Sequence, residues 1–428
     1  MSLLAWVDSL PRGWKAKPLR STVDYVVSNV DKVPADGELP VRLCNYTDVY
    51  NNEFITLALE FMQATASEDE IAKFGLRVDD VAITKDSESW DDIGVPALVR
   101  ETASDLVCGY HLALLRPRKQ RIDGAFLFRC LQAKPVRIQL ELAANGVTRF
   151  GIPKSEIGAM ILPVPPLPQQ RSIADYLDRE TARLDALVAA KERVLGLLVE
   201  KRQALITRAV TRGLSPHSAL RDSGIPWLGE IPAHWETERS RWLFRERDQR
   251  SETGEEELLT VSHLTGVTLR SEKDVNMFEA ETTEGYKICL LGDLAINTLW
   301  AWMGAMGVSP VNGIVSPAYN VYQLGPRLEP GYVDALVRLP VFAQEVTRYS
   351  KGVWSSRLRL YPEGFFEVLL PVPPIAEQRA IVAHIENETK KLDELRTATE
   401  RTTVLLKERR AALIAAAVTG QIDVESTA

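Results

Sequence analysis

The sequence predicts an α+β chain in which two mixed α/β domains alternate with two long helices that pack as an antiparallel coiled coil. Three observations carry this reading. The first is an internal repeat: "LPVPP" stands at Leu162–Pro166 and again at Leu370–Pro374. Around it, residues 161–215 align with 369–423 without a gap, and about half the positions are identical. Polar pairs such as "QR", "ET" and "ER" recur in register, which shared composition does not produce, so one element is written twice. The second observation is that each copy opens a proline-free run of about 42 residues rich in helix formers, some 60–65 Å of helix at 1.5 Å per residue. The third is a pair of matching openings, "SLPRGWKAKPL" (Ser9–Leu19) and "EIPAHWETERS" (Glu230–Ser240), each placing Pro then Trp where a domain begins. The duplication implies approximate two-fold symmetry.

In chain order, residues 1–160 form the first domain, 161–212 the central helical region, 213–229 a linker, 230–368 the second domain and 369–428 the C-terminal helical region. Short β-branched runs broken by Gly, Asp and Asn, such as "DDVAITK" and "GDLAINTL", predict strands in both domains. Leu162 and Val164 end a strand, and the prolines at 163, 165 and 166 delay the helix. Pro168 fits a first helical turn, and Glu377 in the matching turn of the second copy complements the helix dipole. Leu177, Leu184, Leu187, Val194, Leu198 and Leu205 recur in steps of three, four or seven, and Ile385, Leu392, Leu395, Leu406 and Leu413 continue the pattern in the second helix. That spacing reads as a coiled-coil seam. A single helix this long cannot bury its stripe alone; an intervening globular domain leads the chain back for antiparallel pairing, whereas an elongated one would allow a parallel pair. The linker "GLSPHSALRDSGIPWLG" is turn-rich.

Composition is that of an ordinary globular chain, with 45% hydrophobic and 25% charged residues. The opening "MSLLAWVDSLPRGW" lacks a basic lead and carries Asp8 early, which predicts no secretory signal. No apolar run approaches a membrane span. Cys44, Cys108, Cys130 and Cys289 lie far apart, without a CxxC pair, so they predict small buried hydrophobes in a reducing cytoplasm. The net charge of −7 disfavours a polyanion ligand only weakly, because a local basic cleft is compatible with acidic outer faces. No GxxxxGK[ST] loop, GxG spacing, HExxH or [ND]PP[YF] motif occurs, and the histidines at 111, 217, 234, 263 and 384 have no metal-ligand spacing. The sequence therefore predicts a chain that is not itself an enzyme and holds no metal or cofactor.

The repeated "PVPP…QR…I…ET…LD…L…ER…LL…ALI…AVT" resembles the two central helical regions of type I restriction–modification specificity subunits. "LPRGW" and "IPAHW" resemble the starts of their target recognition domains. "NYTDVYNN", "DDVAITKDSESWDDIGVPALV" and "CGYHLALLRP" in the first domain, and "GDLAINTLWAWMGAMGVSPVNGIVSPAYNVY" in the second, look like segments of those domains. The resemblance implies that each domain binds one half of a bipartite, asymmetric double-stranded DNA target. It implies helices that set the spacing and dock two modification (methyltransferase) subunits, which bring S-adenosylmethionine. It also implies restriction subunits that use ATP and Mg for translocation and cleavage. The alternative from the residues alone is a two-globule protein-interaction scaffold with a coiled-coil spacer.

Candidate DNA contacts follow from residue chemistry. In the first domain, Asn45, Tyr46 and Thr47 combine an amide able to read adenine with an aromatic face. Lys85, Ser87, Glu88 and Trp90 form a polar loop after "DVAIT". Tyr110 and His111, followed by Arg116, Lys119 and Arg121, make its most basic stretch, suited to phosphate. In the second domain the candidates are Asn297, Trp300, Trp302 and Met303, then Ser316, Tyr319 and Asn320, with Lys351 and Arg357 for phosphates. The glycines after the two tryptophans argue for a loop rather than a buried strand.

Overall fold

The computed structural model describes residues 4–273, 282–352 and 358–424. The chain divides into two compact units, Met1–Arg193 with Glu400–Ala428, and Val194–Thr399. Each unit thus combines one globule with half of each long helix.

In the first unit a five-stranded sheet runs in the order Val23–Val27, Leu112–Pro117, Val81–Thr84, Pro96–Val99 and Phe54–Ile55. The last pair is parallel and the others antiparallel. Val81–Thr84 and Pro96–Val99 are buried at every position, which is why they read as apolar runs without alternation. A second sheet places Leu39–Cys44 between Met62–Ala66, antiparallel, and Leu106–Cys108, parallel. Helices Gly124–Gln132 and Lys134–Ala143 cover the larger sheet, and the Asp123 carboxylate accepts the Phe126 N–H at the first helix start. Ile173, Ala174 and Leu177 of the first long helix, and Ile414, Ala417 and Val418 of the second, enter the same core.

The second unit has a four-stranded antiparallel sheet, ordered Phe244–Glu246, Tyr319–Leu324, Leu294–Asn297 and Met306–Val308. It packs on helices Pro330–Val337 and Pro340–Tyr349, with Ala209, Val210 and Ile381 of the long helices in the core. The predicted linker is partly ordered: Leu220–Asp222 pairs with Glu230–Pro232, and Ile225 and Leu228 are buried. Those two apolar side chains supply the burial that a loose linker lacks.

The repeat closes both units in the same way. Lys15–Pro18, just after Trp14, pairs antiparallel with Ile161–Val164, and Glu236–Arg239, just after Trp235, pairs antiparallel with Leu369–Val372. One helical turn later the Gln of "QR" is fully buried in each copy. Gln170 donates to the carbonyls of Pro165 (2.8 Å) and Arg121 (3.2 Å), and its oxygen accepts the Asp123 N–H at 2.8 Å. Gln378 donates to Pro373 and Arg327 and accepts the Glu329 N–H, all at 2.8 Å. Backbone groups at the proline step have no helical partner of their own. One amide satisfies one of them together with a carbonyl and an N–H just before a short helix, and so ties the long helix to the start of the short one.

The long helices span Leu167–Arg212 and Ile375–Val418, 46 and 44 residues. They run antiparallel within each unit. In the first, Asp185 lies 2.8 Å from Arg410 and Glu192 lies 3.1 Å from Lys407; in the second, Arg202 lies 2.6 Å from Asp393. Among the expected seam residues, Leu177, Leu184, Leu198 and Leu392 are buried, and Leu205, Ile385, Leu406 and Leu413 are half-buried. Leu187, Val194 and Leu395 are instead exposed, which corrects the seam. Its covered positions alternate steps of four and three through Leu177, Thr181, Leu184, Val188, Lys191, Leu195 and Leu198. Threonines occupy several of these places because each hydroxyl is satisfied within its own helix. Thr181 donates to Leu177 O at 2.6 Å and Thr399 to Leu395 O at 2.8 Å. An apolar-only pattern therefore slips to the flanking leucines.

All four cysteines are buried and free. Burial pushes the Cys108 and Cys289 thiols up to about 12. Ellman's reagent at pH 8 is expected to leave the native chain unmodified and to titrate four thiols after denaturation. Fast labelling of the native chain would contradict this burial. Among the described residues no helix is long and apolar enough to cross a membrane.

Candidate nucleic-acid interface

In the first unit several nominated residues gather where chain segments end. Asn45 follows strand Leu39–Cys44 and starts helix Tyr46–Asn51, its backbone N–H donating to the Asp48 carboxylate at 2.7 Å. The parallel strand Leu106–Cys108 brings Gly109 alongside, its N–H 2.8 Å from Cys44 O. Tyr110 follows, exposed, and then His111 in the left-handed region at φ 74°. From the larger sheet, Val81–Thr84 delivers Lys85, whose N–H donates to His111 O at 2.8 Å, and then Asp86–Ser87. Tyr46 stacks on Tyr50 with centroids 5.5 Å apart, and the Tyr50 hydroxyl donates to Asp92 at 2.6 Å. Burial raises the Tyr46 phenol above its usual pKa, against a hydrogen bond with Ser87 that acts in the opposite sense. Thr47, Glu88 and Trp90 are exposed on the same helix and loop.

Asp86 is the hub of this surface. It lies 2.7 Å from the Lys85 ammonium and 2.5 Å from His111 Nδ1. Burial alone would raise its carboxyl pKa, yet the hydrogen bonds from Lys85 and His111 hold it below the ordinary range. The stabilisation tied to Asp86 is therefore present above an unfolded carboxyl pKa of about 4 and lost as pH falls through the lower folded value. Between pH 5 and 8 the Asp86 carboxylate stays ionised.

Arg116, Lys119 and Arg121 are placed elsewhere. Arg116 is turned inward, its Nη2 2.9 Å from both the buried Asp80 carboxylate and Gly75 O. Lys119 lies 3.8 Å from Asp79, and Arg121 donates to Ser21 O at 2.6 Å. The six-residue strand Leu112–Pro117 puts about 20 Å of extended chain between them and His111. Adjacency in sequence becomes separation here.

In the second unit a cleft of about 940 Å³ is lined by Asn297, Trp300, Ser316 and Tyr319 from the nominated set. Thr260, Ser262, His263, Arg270 and Lys273, residues the sequence did not single out, complete its polar wall. Trp302 lies on a single 3₁₀ turn, Ala301–Met303, which Trp300 precedes as its N-cap and Gly304 ends at φ 89°, a conformation suited to glycine. Trp300 and Trp302 stack at 6.3 Å; Trp302 is anchored by a 3.0 Å bond to Leu299 O, while Trp300 is 49% exposed. Met303 is exposed beside them. Asn297 and Asn320 are buried, Asn297 accepting the Leu299 N–H and Asn320 accepting from Lys287. Lys351 pairs its backbone with Arg359 and leaves its side chain exposed; Arg357 lies outside the described residues. His263, Arg270 and Lys273 are about thirty positions from Trp300; the hairpin of Leu259–Ser262 with Gly266–Leu269 carries them, and its Leu259, Val261 and Val267 pack on Ala295, Val315 and Val321 beside the cleft. If Trp300 stacks on nucleic acid, Trp300→Ala should weaken binding about ten-fold with little change in Tm, as a filter-binding titration would read. Unchanged affinity would remove it from the interface.

Two α/β units, each carrying antiparallel halves of two long helices, are the fold of solved HsdS subunits. The crystal structure of the HsdS subunit from Thermoanaerobacter tengcongensis matches with a TM-score of 0.58 at 16% identity, covering 96% of this chain and 98% of that one. A chain from a structure on complex assembly and conformational transition of the type I R-M system matches with a TM-score of 0.61 at 16% identity, covering 96% and 99%. In sequence the chain is similar to the putative type I restriction enzyme MjaX specificity subunit of Methanocaldococcus jannaschii, 23% identical over 231 residues, 54% of this chain and 52% of that one. It is also similar to the EcoKI specificity subunit of Escherichia coli, 27% identical over 216 residues, 48% of this chain and 44% of that one. The chain spans about half the length of the curated relatives it matches. No protein-family model matches it.

Proposed function

We propose that this chain is the DNA sequence-specificity subunit of a type I restriction–modification complex. In this reading each unit binds one half of a bipartite, asymmetric target. One observation supports it above the others. The two units close on the same strand pairing and the same glutamine clamp, yet they present unlike surfaces: Tyr46, Lys85, Tyr110 and His111 in one, and the Trp300–Tyr319 cleft in the other. Like frames with unlike faces suit a split site whose halves differ. Linking two weak readers in one chain raises the effective concentration of the second once the first is bound.

The chain in this reading is non-catalytic. The long helices set the half-site gap and dock two modification subunits, which bring S-adenosylmethionine and methylate an adenine in each half; restriction subunits add ATP- and Mg-dependent cleavage. The exposed Leu187, Val194 and Leu395 are aliphatic helix positions available to such partners. The test is methylome sequencing of the host with and without the gene. One gapped adenine-methylation motif is expected to vanish with the gene, and an unchanged methylome would overturn the proposal.

A further inference from the structure

We propose that Arg149, which no motif nominates, is a specificity-determining DNA contact of the first unit, set in its pose by His111 and Asp86. The inference rests on the specificity-subunit reading above and adds to it a residue and an orienting device.

Arg149 lies on a hairpin in which Asn145–Gly146 pairs with Phe150–Gly151, and Phe150–Gly151 pairs in turn with Asp86–Ser87. The turn projects into solvent, with Val147 92% exposed. Gly146, at φ 155°, makes the turn possible: a Cβ there would meet Arg149 O at 1.9 Å. The hairpin thus brings an exposed arginine to the edge of the surface that holds Lys85, Tyr46 and His111.

The guanidinium is oriented by a ring nitrogen. Arg149 Nη2 lies 3.2 Å from His111 Nε2, and His111 Nδ1 lies 2.5 Å from Asp86 Oδ2. For Nε2 to accept from a guanidinium it must carry no proton, so the ring proton sits on Nδ1 and is donated to Asp86. Lys85 donates to both oxygens of the same carboxylate. The Asp86 charge is therefore matched by Lys85, and the charge of Arg149 is left over. Among the described residues no carboxylate lies within ion-pair distance of Arg149. Arg42, Arg116 and Arg118 of the same unit each hold a carboxylate at 2.6–2.9 Å, whereas Arg121, like Arg149, meets only a neutral acceptor.

His111 adopts a left-handed backbone, a conformation that costs a residue with a Cβ free energy. In this pose the ring is largely buried against Tyr110, bonds Asp86 through Nδ1 and sets Nε2 against Arg149. What it produces is a cation with fixed direction, one N–H tied down and the remaining fork turned to no partner among the described residues. A fixed, uncompensated fork matches the O6 and N7 acceptors of guanine, which take two parallel N–H bonds. A phosphate needs charge but no such orientation, so the geometry favours base reading.

The test uses the full chain assembled with its modification subunits and a library of gapped targets randomised in both halves, scored by methylation. Arg149→Ala and Arg149→Lys are both expected to relax preference at one position of one half-site by about ten- to a hundred-fold, leaving the other half-site and Tm unchanged. His111→Asn keeps a residue tolerant of left-handed φ but cannot span Asp86 and Arg149. It should relax the same position without changing the salt dependence of binding, whereas a merely structural role would weaken all sequences alike and lower Tm. Full discrimination in both Arg149 variants overturns the proposal. So does a uniform loss with a shallower salt slope in Arg149→Ala that Arg149→Lys restores, the signature of a phosphate contact only. If the parent complex itself selects no gapped sequence, the specificity-subunit reading fails as well. A specific parent with indifferent Arg149 variants sinks this inference alone.

Discussion

Inserting one heptad into each long helix is expected to abolish methylation of the parental target and to select the same two half-sites at a different gap. Seven residues add about 10 Å of helix, the rise of about three base pairs. The insertion has to be seven because the covered positions alternate steps of four and three from Leu177 to Leu198. Four residues would rotate the seam and place charged side chains between the helices. Insertions after Ala190 and after Leu405 fall at facing levels, bracketed by the Glu192–Lys407 pair. The half-site letters should not change, since no residue of either candidate surface is touched. Recovery of the parental gap from a target library would remove the helices as the spacing element.

Replacing Gln378 with Leu is expected to destabilise the second unit by about 3–5 kcal/mol, and Gln170→Leu to do the same to the first. Each substitution removes the partner of one buried carbonyl and of a second carbonyl and an N–H that are half-buried, and an unsatisfied buried group costs about 1–3 kcal/mol. For a unit of about 200 residues this corresponds to a fall in Tm of roughly 10 °C. The chain has two cores, so calorimetry should resolve which transition moves. Gln378→Leu should shift one and Gln170→Leu the other. Glutamate at either place keeps the acceptor and loses the donors, so it should not restore the parent. A change of less than 1 °C in both variants would mean that water replaces the clamp.

Much of this architecture is legible from the letters alone. The two helices, their antiparallel sense and the duplicated strand that precedes each follow from a repeat that needs no three-dimensional information. Proline limits a helix by local sterics, and a gapless 55-residue match is independent of context. The seam was only partly readable: Leu187, Val194 and Leu395 look like seam positions and are exposed, while threonines stand at covered ones. A threonine hydroxyl that bonds within its own helix behaves as an apolar group toward the neighbour, and hydropathy alone does not register this.

The candidate surfaces divide in the same manner. Tyr46, Ser87 and His111 were nominated as separate short segments, and the sheet order brings them together. Arg116 and Lys119, nominated with His111 as one basic stretch, are carried away along a strand, and Arg116 is neutralised by Asp80. Arg149 has no motif, only an Asn-Gly pair that ends three positions before it, and its meaning depends on a histidine 38 positions earlier.

The sequence by itself determined the duplication, the long helices and the likeness to specificity subunits, because these rest on local sterics and on letters repeated in register. Only the tertiary structure decided which charges are neutralised and which are left facing outward. Ion pairing depends on atoms a few ångströms apart, and those atoms come from residues up to hundreds of positions apart in the chain.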